Sequence, residues 1–389
     1  MHANILVFSM FVIFAGAALF STMALYTRQS LLVAYILLGV LLGPWGLKVI
    51  TDTHLIERIG EIGIIFLLFL LGLHLQPRNL WHMLRKATWI TVASAVIFAG
   101  VSFILLRLFG ISTTESLLIG MAMVFSSTII GLKLLPTTVL HHQRTGEIVI
   151  SILLLQDLLA ILVLLVMHAS NVGGLDPIKF VLVLLSLPGL LLFSFLVEHY
   201  IIEKLFARFD RIREYIFLLA IAWCLSVAVL ARVLGLSYEI GAFIAGVSIA
   251  EGPIALYIAE SLKPVRDFFL VMFFFSVGAS FNLHYLPDVI LPAGALALVL
   301  LLLKPVTFWA LLRQVEESKS LAWEVGWRLG QASEFSLLIA YVGLSDKLIS
   351  PMSSYLIQTT TILTFLVSSY FVVLRYPTPV AMSEELRRD

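Results

Sequence analysis

The sequence predicts an all-α polytopic membrane protein of about thirteen transmembrane helices, and three observations lead there. Hydrophobic residues make up 60% of the 389 and charged residues 13%, where soluble domains carry about half and about a quarter. With a mean hydropathy of +1.04, the chain cannot assemble a water-compatible surface. Apolar stretches recur along its whole length and approach the ~20 residues that a spanning helix needs. Runs such as 62–73 and 298–303 are continuously apolar, whereas barrel strands alternate. A soluble enzyme, a secreted disulfide scaffold and a disordered chain are excluded. Net charge +1 leaves no footprint for nucleic acid, and the single Cys224 excludes internal disulfides and cysteine-based metal sites.

In order, the thirteen stretches are 4–26, 30–46, 57–75, 87–109, 115–136, 146–168, 178–197, 214–233, 237–251, 266–281, 289–312, 320–343 and 354–375. The first follows no Lys or Arg and precedes no soluble domain, so it is read as a helix and not as a cleaved signal. Several are short, which implies tilt or half-burial within the bundle. Lys and Arg in the loops set the orientation. Seventeen lie on the side that holds the C-terminus and six on the other, with Lys304 and Arg328 inside spans. The expected arrangement has the C-terminus in the cytoplasm and the N-terminus outside.

An internal repeat is visible. Ala34-Tyr-Ile-Leu-Leu-Gly39 answers to Gly241-Ala-Phe-Ile-Ala-Gly246, and Leu70-Leu-Gly72 to Ser276-Val-Gly278, at offsets of 207 and 206. Six spans per half, with the seventh as a joint, make equivalent helices run in opposite directions. That is an inverted-topology repeat, a transporter signature.

Charges inside a bilayer cost at least ~2.5–3.5 kcal/mol even on the lenient insertion scale, so intramembrane ionisable residues are functional candidates. Asp157 stands at the middle of span 6, with Gln156 beside it as a neutral oxygen donor. Span 5 is interrupted by Phe125-Ser-Ser-Thr-Ile129. Its hydroxyls, Ser126, Ser127 and Thr128, suit both the free backbone groups of a broken helix and a cation. The counterpart of Ser127 at an offset of 207 is Glu334, within Gly330-Gln-Ala-Ser-Glu-Phe-Ser336 of span 12. Lys304 lies deep in span 11, before Pro305, and suits either the negative end of a half-helix or an acid partner, Asp157 or Glu334. His141-His142 resembles a metal pair, but nothing nearby supplies further ligands, and a plain loop pair is the simpler reading. No nucleophile–base constellation and no cofactor fingerprint occurs, so no enzymatic activity and no cofactor is expected.

Several motifs together resemble the membrane domain of Kef-type monovalent cation:proton antiporters. They are Gly43-Pro-Trp-Gly-Leu47, Glu61-Ile-Gly63 with Leu71-Gly-Leu-His-Leu75, Phe125-Ser-Ser-Thr128, Gln156-Asp157 and Gly330-Gln-Ala-Ser-Glu-Phe335, in family order. The resemblance implies a homodimer in the bacterial inner membrane. It implies scaffold helices at 1–86 and 214–288, core helices with crossed broken segments at 87–177 and 289–376, a linker helix at 178–213 and a cytoplasmic tail at 377–389. It also implies that Asp157 carries the exchanged ions. Members with Gln-Asp here are usually linked to potassium, so potassium is favoured over sodium. Full-length Kef systems continue into a cytosolic nucleotide-binding domain. No dinucleotide fingerprint occurs in this sequence, so either that layer is lacking, or a separate cytosolic subunit provides it, or the sequence is a piece of a longer chain.

The expected chemistry rests on one carboxylate. An unperturbed aspartate titrates near ~3.9, and burial, nearby cations and hydroxyl donors retune it. Protons and alkali cations then compete for Asp157. Two rival readings use the same residues differently: a ligand-gated potassium channel without obligatory proton counter-flow, and a membrane scaffold or sensor that tolerates loss of Asp157.

Overall fold

The computed structural model describes residues 2–27, 29, 31–50, 54–74, 77–133, 144–173, 177–209, 211–250, 252 and 254–376. His141-His142 and the tail at 377–389 lie outside these. Among the described residues there is no strand, and every one of the thirteen apolar stretches is helical, two of them with an interruption. Seven helices are long and apolar enough to cross a membrane. Exposed Leu19 and Met23 on α1 (His2–Thr27) and Leu192, Phe193 and Leu196 on a later helix suit a lipid-facing surface.

The chain divides into two compact units. The first comprises Met1–Phe14, Gly39–Trp81 and Leu165–Ser280, and the second Ala15–Leu38, His82–Leu164 and Phe281–Asp389. In the first, α2 (Leu31–Leu42, entering at Gly39) and α3 (His54–His74) pack with α10 (Arg213–Val233), α11 (Tyr238–Ile249) and α12 (Ala255–Ser280). Between α3 and α10 run α4 (Pro77–Leu108), α5 (Thr113–Ala122), α6 (Thr128–Lys133), α7 (Arg144–Gly173), α8 (Pro177–Val197) and α9 (Glu203–Arg208). A π-turn, Glu198–Ile202, joins α8 to α9.

Lipid supplies no hydrophobic drive between helices, so close backbone approach through small residues takes its place. A Cβ on Gly39 would sit 2.1 Å from the Phe275 carbonyl oxygen and 2.8 Å from the Ala279 nitrogen, so only glycine fits. A Cβ on Gly246 would sit 2.1 Å from the Phe69 carbonyl oxygen and 2.9 Å from the Leu73 nitrogen. The Trp223 indole of α10 ties to α11 by donating to the Ala245 carbonyl and to Ser248 Oγ, each at 3.2 Å.

Helix α12 starts eleven residues before the apolar stretch at 266–281 does. Its first half carries Glu260, Lys263, Arg266 and Asp267, which depress hydropathy without disfavouring a helix. Glu260 and Lys263 form an i,i+3 ion pair there at 2.6 Å. Helix α4 likewise begins at Pro77, ahead of the expected 87, because Pro suits a first turn and hydropathy under-reads the charged start.

The second unit holds α4 from His82, α5, α6 and α7 up to Leu164, then α13 (Leu286–Gln314), α14 (Lys319–Arg328), α15 (Glu334–Ser345) and α16 (Pro351–Arg375). Phe98 of α4, Ile152 of α7, Phe308 of α13 and Val325 of α14 share one buried apolar cluster. Both interruptions fall in this unit. Helix α5 stops at Ala122 and α6 starts at Thr128; α14 stops at Arg328 and α15 starts at Glu334. The two stops are 206 residues apart, and so are the two starts. Thr128, not Ser127, is therefore level with Glu334.

Candidate ion-binding site where two broken helices meet

A helix that breaks inside a membrane strands N–H and C=O groups that water cannot reach. Side chains supply the partners here. Ser127 caps α6, its Oγ accepting from the Ile130 N–H at 3.0 Å. Ser333 caps α15 by accepting from the Phe335 N–H at 3.1 Å, and its own N–H donates to Ser336 Oγ at 3.3 Å. The carbonyls at the two stops are capped across the gap. Ser126 Oγ donates to the Leu329 carbonyl at 2.8 Å, and Ser336 Oγ donates to the Ala122 carbonyl at 2.6 Å.

Two N–H groups inside the breaks are met by neighbouring helices. The Ser126 N–H donates to Gln156 Oε1 of α7 at 2.9 Å, and the Ala332 N–H to Thr364 Oγ1 of α16 at 3.0 Å. Gln156 Nε2 in turn donates to the Val124 carbonyl at 3.4 Å. The sequence marks Gln156 as an ion ligand; in the structure its oxygen already accepts a backbone N–H.

Lys304 is fully buried. The sequence leaves it either the end of a half-helix or an acid, and the structure supplies the first. Its Nζ donates to the Phe125 carbonyl at 2.6 Å and the Gln331 carbonyl at 3.0 Å, one from each break, and lies 3.4 Å from Ser126 Oγ. The Phe98 ring lies beneath it, 5.3 Å to the centroid. Phe125 and Gln331 are themselves 206 residues apart. The C-terminal ends of α5 and α14 carry partial negative charge, and a single side-chain nitrogen donates to a carbonyl from each break.

Asp157 is on α7 and 1% exposed. The Thr128 hydroxyl lies 3.2 and 3.1 Å from its two carboxylate oxygens. Thr128 opens α6, so the carboxylate stands at a helix N-terminus, where partial positive charge favours an anion. Glu334 opens α15, is 4% exposed, and is near enough to Asp157 for their charges to interact. The buried centre thus holds one lysine among carbonyls and two acids near helix starts. It can compensate a carboxylate that alternately holds a proton and a metal cation.

Two contributors are not singled out in the sequence. Ser336 lies inside the polar run of span 12, but its hydroxyl is not distinguishable there from Ser333. Thr364 is one hydroxyl among many in Gln358-Thr-Thr-Thr-Ile-Leu-Thr364.

The family model for the transmembrane part of sodium/hydrogen exchangers matches residues 10–374, nearly the whole chain. The chain belongs to the sodium/hydrogen exchanger family. It is accordingly a multi-pass membrane transporter of the antiporter type, not an enzyme. As an exchanger, it is 28% identical over 358 residues to the iron transporter MagA of Paramagnetospirillum magneticum, a match covering 92% of this chain and 82% of that protein. Its fold is similar to that of the sodium proton antiporter MjNhaP1 from Methanocaldococcus jannaschii at pH 8, with a TM-score of 0.76 at 16% identity, covering 95% of this chain and 96% of that one. An electron-microscopy structure of the same antiporter gives a TM-score of 0.66 at 18% identity, covering 96% and 94%.

Proposed function

We propose that the exchanger moves a monovalent cation, potassium in preference to sodium, against protons, using Asp157 as the shared carrier. The observation that carries this reading is the buried Asp157 carboxylate, held by Thr128 at the start of α6 while Lys304 satisfies the opposite helix ends. A proton and a cation compete for that carboxylate, so one leaves before the other binds. Exposure to alternate sides then gives obligatory exchange without ATP. An inward proton gradient drives the cation out of the cytoplasm.

We assign cation contact to Asp157 and Thr128. Ser126, Ser127 and Gln156 act mainly on the backbone, since their oxygens already hold Leu329, Ile130 and Ser126. Glu334 supplies supporting charge. Neutral Gln156 beside Asp157 supports the potassium preference, as does the resemblance to Kef-type antiporters.

Alternating access rests on thirteen crossings arranged as two inverted repeats. The matched geometries around Gly39 and Gly246 support that symmetry, as do the breaks at a common spacing of 206 and Lys304's two equivalent acceptors. In this reading 1–86 and 214–288 form the scaffold of a homodimer, 87–177 and 289–376 form the mobile core with its broken helices crossed, 178–213 links the halves, and the C-terminus lies in the cytoplasm.

Similarity to an iron transporter motivates a second cargo, ferrous iron. The centre is built from hydroxyl, carboxylate and carbonyl oxygens, which suit alkali cations, while imidazole or thiol ligands suit a transition metal. Among the described residues, no group of three or more His, Cys, Asp or Glu could hold a metal ion. Proteoliposomes with an internal pH dye separate the readings. Potassium or rubidium should release the imposed proton gradient most strongly, then sodium, then lithium, with little response to ferrous iron. Cation flux without proton movement would indicate a channel, and dequenching by ferrous iron alone would transfer the cargo to iron.

A further inference from the structure

The two breaks share a requirement that only one of them meets with a residue of known interest. Ser126 and Ala332, 206 residues apart, each point an N–H away from any helix ladder. Gln156 answers the first at 2.9 Å, and Thr364 answers the second at 3.0 Å. Thr364 is fully buried, as is Ala332. Its hydroxyl proton goes to the Thr361 carbonyl one turn back, at 2.9 Å. That bond fixes the rotor, so an oxygen lone pair faces Ala332. A β-branched residue is also stiff at χ1, which holds the oxygen in place.

Ala332 separates two functional atoms. Before it, the Gln331 carbonyl accepts from Lys304 at 3.0 Å; after it, Ser333 caps the helix that Glu334 opens. A shift of this one peptide moves a Lys304 acceptor and the Glu334 carboxylate together. We propose that Thr364 is a positioning residue of the ion site, the second break's counterpart of Gln156. It acts on the cation through Ala332, Gln331 and Lys304 and without touching it. The proposal rests on the exchange function assigned to Asp157.

The test compares Thr364→Val, Thr364→Ser and Thr360→Val in proteoliposomes. Valine keeps the shape and removes the partner of a buried N–H, a loss felt more than that of an exposed bond. Thr364→Val should weaken apparent cation affinity about tenfold, shift the pH profile, and change the maximal rate less than about twofold. Thr364→Ser should return within about twofold of the parent. Thr360, equally buried but bonded to the Ala293 carbonyl only at 3.4 Å, should tolerate valine with parental affinity. A folded Thr364→Val with parental affinity and pH profile overturns the proposal, and so does a serine variant as impaired as valine.

Hydrogen exchange on the intact parent gives an independent reading even where a variant does not fold. The Ala332 amide should be as protected as those of the adjoining helices, and rapid exchange there overturns the proposal. If the parent and Asp157→Asn both fail to exchange cations for protons, the antiport reading falls. The amide measurement still decides whether Thr364 holds Ala332.

Discussion

At Gly246 a Cβ would sit 2.1 Å from the Phe69 carbonyl; at Ser126 a side-chain oxygen reaches 2.8 Å to the Leu329 carbonyl. Both contacts bring helix backbones together in a setting without water, by opposite means. In the first unit the helices are unbroken where these glycines touch their neighbours, so the contact frees no backbone group from its helix ladder. Contact there needs only an absent side chain. In the second unit the helices stop and restart at mid-depth. Each freed N–H or carbonyl needs a donor or acceptor from outside its helix, and Ser, Thr, Gln and Lys provide them. Polar satisfaction of this kind gives the second unit a centre where a carboxylate and an ammonium are buried without sharing an ion pair. The glycine contacts offer an ion nothing. Substitutions in the two units should therefore fail differently.

The largest effect belongs to Asp157→Asn. It keeps the size and can still accept from Thr128, but it neither releases a proton nor carries charge. Exchange should fall by more than about 100-fold for every cation, while expression and thermal unfolding stay near the parent's. Coupled proton–cation movement persisting in the Asn variant would show that Asp157 is not the carrier. The measurement is the pH-dye assay with purified parent and variant side by side.

Lys304 comes next. Lys304→Met leaves two buried carbonyls, those of Phe125 and Gln331, without their donor. Each orphaned group costs about 1–3 kcal/mol, so a marked fall in unfolding temperature is expected. Lys304→Gln retains two N–H donors and should recover part of that stability. Both variants remove the Lys304 amine from the buried centre and should bind the cation more tightly. A Gln variant that equals the parent in stability and affinity would mean that the ammonium charge is not what holds the two breaks.

The same contrast explains what is legible in the sequence. Asp157 and Lys304 stand out because a charge in a bilayer is expensive, and the breaks stand out because hydroxyl runs and Glu334 interrupt otherwise apolar spans. The partners of Lys304 are hidden, since backbone carbonyls leave no trace in residue identity. An acid is the natural guess for a buried lysine; two converging helix ends replace it. The offset of 207 drawn from Gly39 and Gly246 also misaligns Ser127 with Glu334, because the breaks follow the 206 spacing seen at Gly72 and Gly278. Thr364 is hidden for another reason. Hydroxyls are so frequent on α16 that only the position of Ala332 singles one out. In the first unit, the charged start of α12 is missed because hydropathy measures membrane depth and not helicity.

Glycine substitutions sharpen the comparison from the other side. Gly39→Ala and Gly246→Ala each push a methyl into a carbonyl of the facing helix, at the same 2.1 Å. Overpacking of this kind costs about 1–3 kcal/mol, and the matched geometry predicts similar losses at the two positions. Cation affinity should stay within about twofold of the parent in the fraction that folds, because no polar group at the breaks loses a partner. Thermal unfolding in detergent, paired with affinity in liposomes, reads both quantities. Unequal losses would weaken the proposed symmetry, and a large affinity change would show that the first unit shapes the ion site.

The smallest expected effect is a change of preference at position 156. Gln156 holds the Ser126 N–H through Oε1 at 2.9 Å, so a substitute must keep both length and acceptor. Glutamate does; it gives up only the weak donation to the Val124 carbonyl at 3.4 Å. Aspartate is a methylene shorter and should release Ser126 as well. Gln156→Glu therefore isolates charge from geometry. A second negative charge beside Asp157 attracts small, strongly held cations most, since Coulomb attraction rises as the distance of closest approach falls. Sodium should gain on potassium by about threefold to tenfold, and the activity profile should move to higher pH because two neighbouring carboxylates hold a proton more firmly than one. Gln156→Asp should show the same charge effect together with a loss of stability of about 1–3 kcal/mol from the orphaned N–H. If the glutamate variant leaves the cation ranking and pH profile unchanged while the aspartate variant alone is unstable, Gln156 serves the backbone and not the ion. Selectivity must then be set by Asp157, Thr128 and the surrounding carbonyls.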